Sequence, residues 1–354
     1  MLACHMLRLV MGLAIMAACD GDAQTELPVS CGEAAGSTTR LFSGVVVAMD
    51  ADSLYYFDST PHVLKSWPKH GGVSAVVTDQ AWAPVTVTDG VFYWPETFDG
   101  HGQPTNVAMF KDGVETLIPL LTSNVIGGGF FAAPSGGVFF RTQTQTPLGF
   151  DTIDYVGPGL TWAEIIVNAP PGSYITGMAV LGDSLLWRED SVSAFVYKLR
   201  TIGTTTDLPL ITKPGGSPGW GGDYIATLGN VFFINIDAGI EEHDRSGNLL
   251  GSYATGYPTS IAADTIYLYW TSPPYETGGP VYFCGPNSFG LRRISLASSA
   301  QDTLDPDGGG ALVDDEFVFY TSSHVFPCCH TVSGPGQACS PPAVSPPQVM
   351  CFRK

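Results

Sequence analysis

One short phrase recurs seven times along this chain of 354 residues, and it constrains the fold more than any single motif. A small or Asp/Gly turn is followed by a run of β-branched and aromatic residues. The copies are Asp52-Ser-Leu-Tyr-Tyr-Phe57, Asp89-Gly-Val-Phe-Tyr-Trp94, Gly136-Gly-Val-Phe-Phe140 and Gly182-Asp-Ser-Leu-Leu-Trp187. They continue with Gly229-Asn-Val-Phe-Phe-Ile234, Asp264-Thr-Ile-Tyr-Leu-Tyr-Trp270 and Asp314-Asp-Glu-Phe-Val-Phe-Tyr320. The first apolar residues of the runs are Leu54, Val91, Val138, Leu185, Val231, Ile266 and Phe317. Their mean spacing is about 44 residues, within the ~40–50 residues of a four-stranded propeller blade. Each run is short, aromatic and bounded by turn formers, so it reads as a buried strand rather than a helix. Gly (42) and Pro (27) break the chain too often for long helices. The expectation is an all-β, seven-bladed β-propeller of four-stranded antiparallel blades.

Two blades can be parsed strand by strand. Blade five reads as Tyr224–Thr227, Val231–Ile236, Gly239–Asp244 and Asn248–Tyr253. Blade six reads as Ser260–Ala263, Ile266–Thr271, Leu291–Leu296 and a fourth strand near Ala300–Leu304. The last blade offers only Ala311–Val313, Phe317–Thr321 and Gln348–Phe352. Near the N-terminus, Thr38–Phe42 looks like an outer strand with no blade of its own. Joining the two closes the ring and removes free sheet edges. The expected division is a signal segment at 1–19, a polar tether at 20–37 and the propeller at 38–354.

Ser260-Ile-Ala-Ala-Asp-Thr-Ile-Tyr-Leu-Tyr-Trp-Thr271, followed by Leu291-Arg-Arg-Ile-Ser-Leu296, resembles a YWTD-type propeller repeat. Val313–Thr321 and Thr88–Trp94 are weaker copies, and the resemblance runs from about residue 44 to the C-terminus. It implies propeller architecture and the binding of protein ligands, as in receptor ectodomains. The closing Asp of the motif is replaced by Ser272, and fewer blades are usual in that family. The degenerate repeats of bacterial secreted proteins are closer to this pattern.

The segment Met6–Ala18 has one basic residue followed by an apolar stretch too short to span a bilayer, and it reads as a secretory signal. It ends in Ala17-Ala18-Cys19, which resembles the lipobox of bacterial lipoproteins, with Met16 where Leu is usual. Cys19 is therefore the expected lipidation site, and the cell envelope the expected location. The competing reading is ordinary signal cleavage and secretion. Membrane contact is expected only through that lipid. The formal charge is −18 and basic clusters are absent apart from Arg292-Arg293, which excludes nucleic acid as a partner.

Apart from Cys4 and Cys19, six cysteines remain: Cys31, Cys284, Cys328, Cys329, Cys339 and Cys351. An even set in an exported chain favours disulfides. Cys284, Cys328, Cys329 and Cys339 fall in neighbouring B–C loops of blades six and seven, so two bridges are expected among them. By elimination Cys31 pairs with Cys351. The run His324–His330 with Cys339 offers metal ligands, but its spacing matches no common zinc module. Asp305-Pro-Asp-Gly308 lacks the later ligands of an EF-hand and reads as a turn between blades. No metal or cofactor is expected.

In an antiparallel blade the A–B and C–D turns share one face, and the B–C loops and D–A links share the other. The long segments Pro95–Thr105, Gln143–Gly149, Ser272–Gly290, Ser322–Gln348 and Pro214–Asp223 all belong to the second face. Binding usually resides on loops that a rigid scaffold presents. His101, Trp220, Tyr275 and His324 are the candidate binding residues there. No Gly-x-Ser-x-Gly, His-Glu-x-x-His, P-loop or dinucleotide fingerprint is present. Glu241-Glu242-His243-Asp244 reads as a solvated strand. The expectation is a monomeric binding or scaffold protein with a protein or glycan partner, and the alternative is an exported propeller lyase or hydrolase.

Overall fold

The computed structural model describes residues 30–32, 34–58, 62–99, 103–120, 125–143, 151–214, 224–236, 239–255, 258–272, 290–322 and 346–354. After β1 (Thr38–Ser43), the first blade is β2 (Val45–Met49), β3 (Ser53–Phe57), β4 (Leu64–Pro68) and β5 (Ala75–Thr78). The second is β6 (Thr86–Thr88), β7 (Val91–Phe98), β8 (Pro104–Lys111) and β9 (Val114–Pro119). The third is β10 (Val125–Ala132), β11 (Val138–Gln143), β12 (Asp151–Val156) and β13 (Glu164–Asn168). The fourth is β14 (Tyr174–Leu181), β15 (Ser184–Asp190), β16 (Ala194–Thr201) and β17 (Leu208–Pro214). The fifth is β18 (Ile225–Leu228), β19 (Val231–Ile236), β20 (Gly239–Asp244) and β21 (Leu249–Ala254). The sixth is β22 (Ser260–Ala263), β23 (Tyr267–Ser272), β24 (Gly290–Ser295) and β25 (Gln301–Asp305). The seventh is β26 (Gly308–Val313), β27 (Phe317–Ser322) and β28 (Gln348–Arg353), with β1 as its outer strand.

All seven sheets are four-stranded and antiparallel; six are meanders of consecutive strands, and the seventh borrows β1. The first strand of each blade touches the first strands of the blades before and after it, and β26 returns to β2. These strands therefore form the inner ring, and the fourth strands lie outside. Ring closure is made by β1 pairing antiparallel with β28, from Thr38 opposite Phe352 to Ser43 opposite Gln348, with a bulge between Arg40 and Phe42. Upstream of β1, Cys31 is buried and disulfide-bonded to Cys351, with 5.8 Å between Cα atoms. Gly36 N–H donates to Arg353 O and Arg353 N–H donates to Ser37 O.

The repeated phrase is the second strand of every blade. Its central pairs are Tyr55–Tyr56, Tyr93–Trp94, Phe139–Phe140, Leu186–Trp187, Phe232–Phe233, Tyr269–Trp270 and Phe319–Tyr320. Adjacent residues of a strand point to opposite faces. Yet both members of every pair are at most 8% exposed. Each blade is covered on both faces by its neighbours, so these strands are apolar throughout rather than alternating.

The A–B turns show why Asp recurs before the phrase. Asp50, Asp264 and Asp314 each accept two backbone N–H groups with Oδ1, from the residues two and three positions on. Tyr55 and Tyr269 then donate their hydroxyls to Asp50 and Asp264. This geometry places Ile266 in the turn, 53% exposed, so the second strand of blade six begins at Tyr267 and not at Ile266. In blade two, Asp89 and Gly90 both have left-handed backbone (φ 50° and 72°), the conformation of a tight type I′ hairpin. Asp305 to Gly308 joins the outer strand of blade six to the inner strand of blade seven, as its composition suggested.

Seams between blades carry repeated ionic clamps. Asp264 pairs with Lys354 at 2.5 Å and Asp314 with Lys69 at 2.5 Å. Asp183 pairs with Arg245. In each case an A–B turn carboxylate of one blade meets the cation just beyond the third strand of the next. The Glu241–Asp244 stretch also departs from its sequence reading as a solvated strand. His243 is buried, stacks on Phe232 at 5.4 Å, and places Nε2 2.9 Å from Glu241 Oε2. Glu241 also accepts Lys213 Nζ from blade four at 2.9 Å. Burial pushes the Glu241 carboxyl up, but Lys213 and His243 outweigh it and hold it below the usual range.

Candidate ligand-binding face

The B–C ends and D–A links define one face of the ring, and three aromatic rings converge on it from separate segments. His62 lies in the B–C loop of blade one, Trp82 in the link from β5 to β6, and Phe98 at the end of β7. The His62 and Trp82 ring centroids are 3.8 Å apart, and those of Trp82 and Phe98 are 4.8 Å apart. Backbone bonds hold the segments in place. Ala81 N–H donates to His62 O at 3.1 Å, and His62 Nδ1 lies 3.3 Å from Ala81 O. Asp99 N–H donates to Gln103 O, and Gln103 N–H donates to Asp99 Oδ1. Trp82 and Phe98 remain 38% exposed. Asp58, in the same B–C loop of blade one, pairs with Lys65 of β4 at 3.1 Å.

Elsewhere on this face the strand ends are tied into the scaffold. In blade four Arg188 makes a two-pronged ion pair with Asp190, at 2.5 and 2.9 Å, and lies over the Phe195 ring at 4.0 Å. In blade three Arg141 donates to Ile175 O while Asp151 Oδ2 accepts Ile175 N–H at 2.9 Å. Both backbone groups of one inner-strand residue of blade four are thus held by blade three.

Close to this end of blade three lies a fully buried carboxyl. Asp154 accepts from Thr152 Oγ1 at 2.7 Å and from Thr142 Oγ1 at 3.4 Å. Burial raises its pKa to about 6, more than the two threonine hydroxyls lower it. A raised carboxyl contributes stability that is fully present below its unfolded value, about 3.9, and is lost as pH rises through about 6. Asp154→Asn keeps the size and removes the charge. It is expected to stabilise the protein by about 3 kcal/mol at pH 8 and to have little effect at pH 4. Urea unfolding at both pH values measures this, and equal effects at the two would count against it.

The inner ring has a different chemistry. None of the seven strands β2, β6, β10, β14, β18, β22 and β26 contains a His, Asp, Glu, Lys or Arg. Their side chains are apolar, small or hydroxylic, so the strand walls of the central passage hold no general acid or base of ordinary strength.

Of the residues singled out from sequence, Cys31 and Cys351 are brought together as expected. Cys19, Cys284, Cys328, Cys329 and Cys339 lie outside the described residues, as do His101, Trp220, Tyr275 and His324. Sequence reading passed over His62, Trp82 and Phe98. The available signal was Trp82 in a short link, where no strand pattern explains an aromatic.

No protein-family model matches this chain, and no curated protein matches its sequence. Solved structures do match its fold. A seven-bladed β-propeller is the class that the sheet order and ring closure define. A streptogramin B lyase is similar with a TM-score of 0.56 at 11% identity, over 90% of this chain and 98% of the other. An oligogalacturonate lyase in complex with manganese reaches 0.58 at 9% identity, over 92% and 95%. A virginiamycin B lyase from Staphylococcus aureus reaches 0.51 at 15% identity, over 80% and 95%. At these identities the likeness is one of fold, and fold alone does not choose a function.

Proposed function

We propose that this chain is an exported, lipid-anchored propeller that binds a protein or glycan partner on its loop-rich face. One observation carries the choice of binding over catalysis: the inner strands bear no carboxylate, imidazole or amine, while that face presents exposed aromatic rings. A propeller is a rigid scaffold, and the order of its strands puts the B–C and D–A segments, the longest connections of this chain, on one side. Charge of −18 keeps such a domain soluble and directs it away from polyanions.

The competing reading is an exported lyase or hydrolase, in line with the lyases that share the fold. Its acid and base would have to come from the loops, since the strand walls supply none. The two readings separate in one comparison. A variant with the connections 99–103, 144–150, 273–289 and 323–345 replaced by Gly/Ser linkers, which leaves every strand intact, is expected to lose capture of its envelope ligand while keeping its β-sheet spectrum. Retained capture would refute the face assignment. Turnover of a cyclic depsipeptide lactone or of an oligouronide by the unaltered domain would establish the enzyme instead. The anchor is tested by Cys19→Ser, which is expected to shift the protein from the membrane to the soluble fraction and abolish incorporation of labelled fatty acid.

A further inference from the structure

Large aromatic side chains in the described part of this molecule are mostly buried in the seams. Trp67, Trp94, Trp187 and Trp270 are at most 1% exposed. Trp82, Phe98, Trp162 and Tyr174 depart from that rule, and of these Trp82 and Phe98 touch each other, with His62 beside them. Their backbone departs as well. His62 has φ 71°, and Thr97, next to Phe98, has φ 54°. The other described non-glycine residues with left-handed backbone are Asp89, Asp112 and Ser299, all in short hairpin turns of the opposite face. For a β-branched residue such as Thr97 this conformation is a genuine outlier, costing on the order of 1–3 kcal/mol. Two strained residues on the loop-rich face therefore flank a single exposed ring cluster, which is where strain associated with function concentrates.

We infer that this cluster is a carbohydrate subsite that stacks a neutral pyranose ring. The inference rests on the reading of the loop-rich face as the binding face and names its ligand class. A pyranose has an apolar face of C–H groups and a hydroxyl edge, and it needs flat apolar contact bordered by hydrogen-bonding groups. The exposed part of the Trp82 ring supplies the first, and the Phe98 ring, tilted 59° to it, forms a second wall. Asp58, on the loop that carries His62, with its ion-pair partner Lys65 at the start of β4, and Asp99, next to Phe98, supply the second. A standard protein interface covers about 800 Å² on each partner, far more than three clustered rings offer. The net charge of −18 opposes anionic polymers, which selects a neutral sugar over a uronide.

The test titrates the domain with hexasaccharides of glucose, mannose, xylose and N-acetylglucosamine, read by calorimetry and tryptophan fluorescence, with polygalacturonate as the anionic comparison. At least one neutral hexasaccharide is expected to bind. Trp82→Ala and Phe98→Ala should each weaken it at least about tenfold, the size of a central aromatic contact. Trp82→Phe retains a ring and should keep most of the affinity, which separates lost stacking from misfolding. Trp162→Ala, at a site 52% exposed in the C–D turn of blade three on the opposite face, should change nothing. The proposal is overturned by no binding to any of the four, by unchanged affinity in Trp82→Ala, or by tighter binding of polygalacturonate. If no sugar binds but a captured protein is lost on Trp82→Ala, the ligand class is wrong and the binding face stands. If capture is also indifferent to the loop replacements, the face itself is wrong.

Discussion

Replacing both Cys31 and Cys351 with alanine should lower stability by about 5 kcal/mol, the largest effect expected of any change confined to the scaffold. The bridge closes a loop with a sequence separation of 320 residues. In the chain-entropy account, a crosslink stabilises by restricting the unfolded chain, and the effect grows slowly with loop length. Its position adds to this. β1 and β28 close the ring, and Cys351 lies in β28 opposite Thr39. Without the bridge, the outer strand of blade seven is held by its ladder and by the bonds at Gly36 and Arg353. Peeling it away leaves β28 as an unpaired edge. Urea unfolding of the double variant against the oxidised protein gives the number. A loss below about 1 kcal/mol would mean that strand pairing alone closes the ring.

The second large effect belongs to Asp264. Asp264→Ala is expected to cost about 3–5 kcal/mol, because it strands the buried Lys354 ammonium and frees three donors. The carboxylate accepts Ile266 N–H and Tyr267 N–H at 2.7 Å each, accepts the Tyr269 hydroxyl at 2.9 Å, and pairs with Lys354. Tyr269→Phe removes one of those bonds and should cost only about 1 kcal/mol. Burial pushes the Asp264 carboxyl up, but Lys354 and the two backbone N–H groups outweigh it, so its pKa is lowered. Asp314 is lowered in the same way by Lys69 and its own turn amides, against burial. A lowered carboxyl contributes stability above its unfolded value and loses it as pH falls through the folded value. These clamps therefore weaken in acid, whereas Asp154 costs stability as pH rises from about 4 through about 6. In Asp264→Ala the loss of stability between pH 5 and pH 2 should be shallower than in the unaltered protein. An unchanged slope would remove Asp264 from the acid response.

Blade five shows how much of the architecture was legible. Val231–Ile236 and Gly239–Asp244 were readable to the residue, and its other two strands to within one. Those strands carry their own signal, since a run of apolar residues between turn formers has few alternatives. Blade six was displaced at Ile266 because the turn there is shaped by the Asp264 side chain, which captures two amides beyond it. Periodicity gives no notice of that. The pairing of Cys31 with Cys351 was reachable because ring closure places the chain ends in one blade. The charged stretch at Glu241 was misjudged because its partner, Lys213, belongs to the previous blade.

The grouping of the aromatic cluster was not legible for a similar reason. His62, Trp82 and Phe98 come from a loop, a link and a strand end, and only Trp82 stands out in its own segment. Only the juxtaposition of blades one and two brings the three rings into tilted contact and leaves Trp82 and Phe98 38% exposed. The seven repeats, their length and the missing outer strand of the last blade were determined by the sequence alone. Burial of both faces of a blade imposes the same local composition each time, and local composition can be read without coordinates. Which carboxylates meet which cations across the seams, and which rings stay exposed at the rim, was decided by the tertiary structure. Those contacts depend on the packing of one blade against the next, and the partners are set by geometry between blades rather than by spacing along the chain.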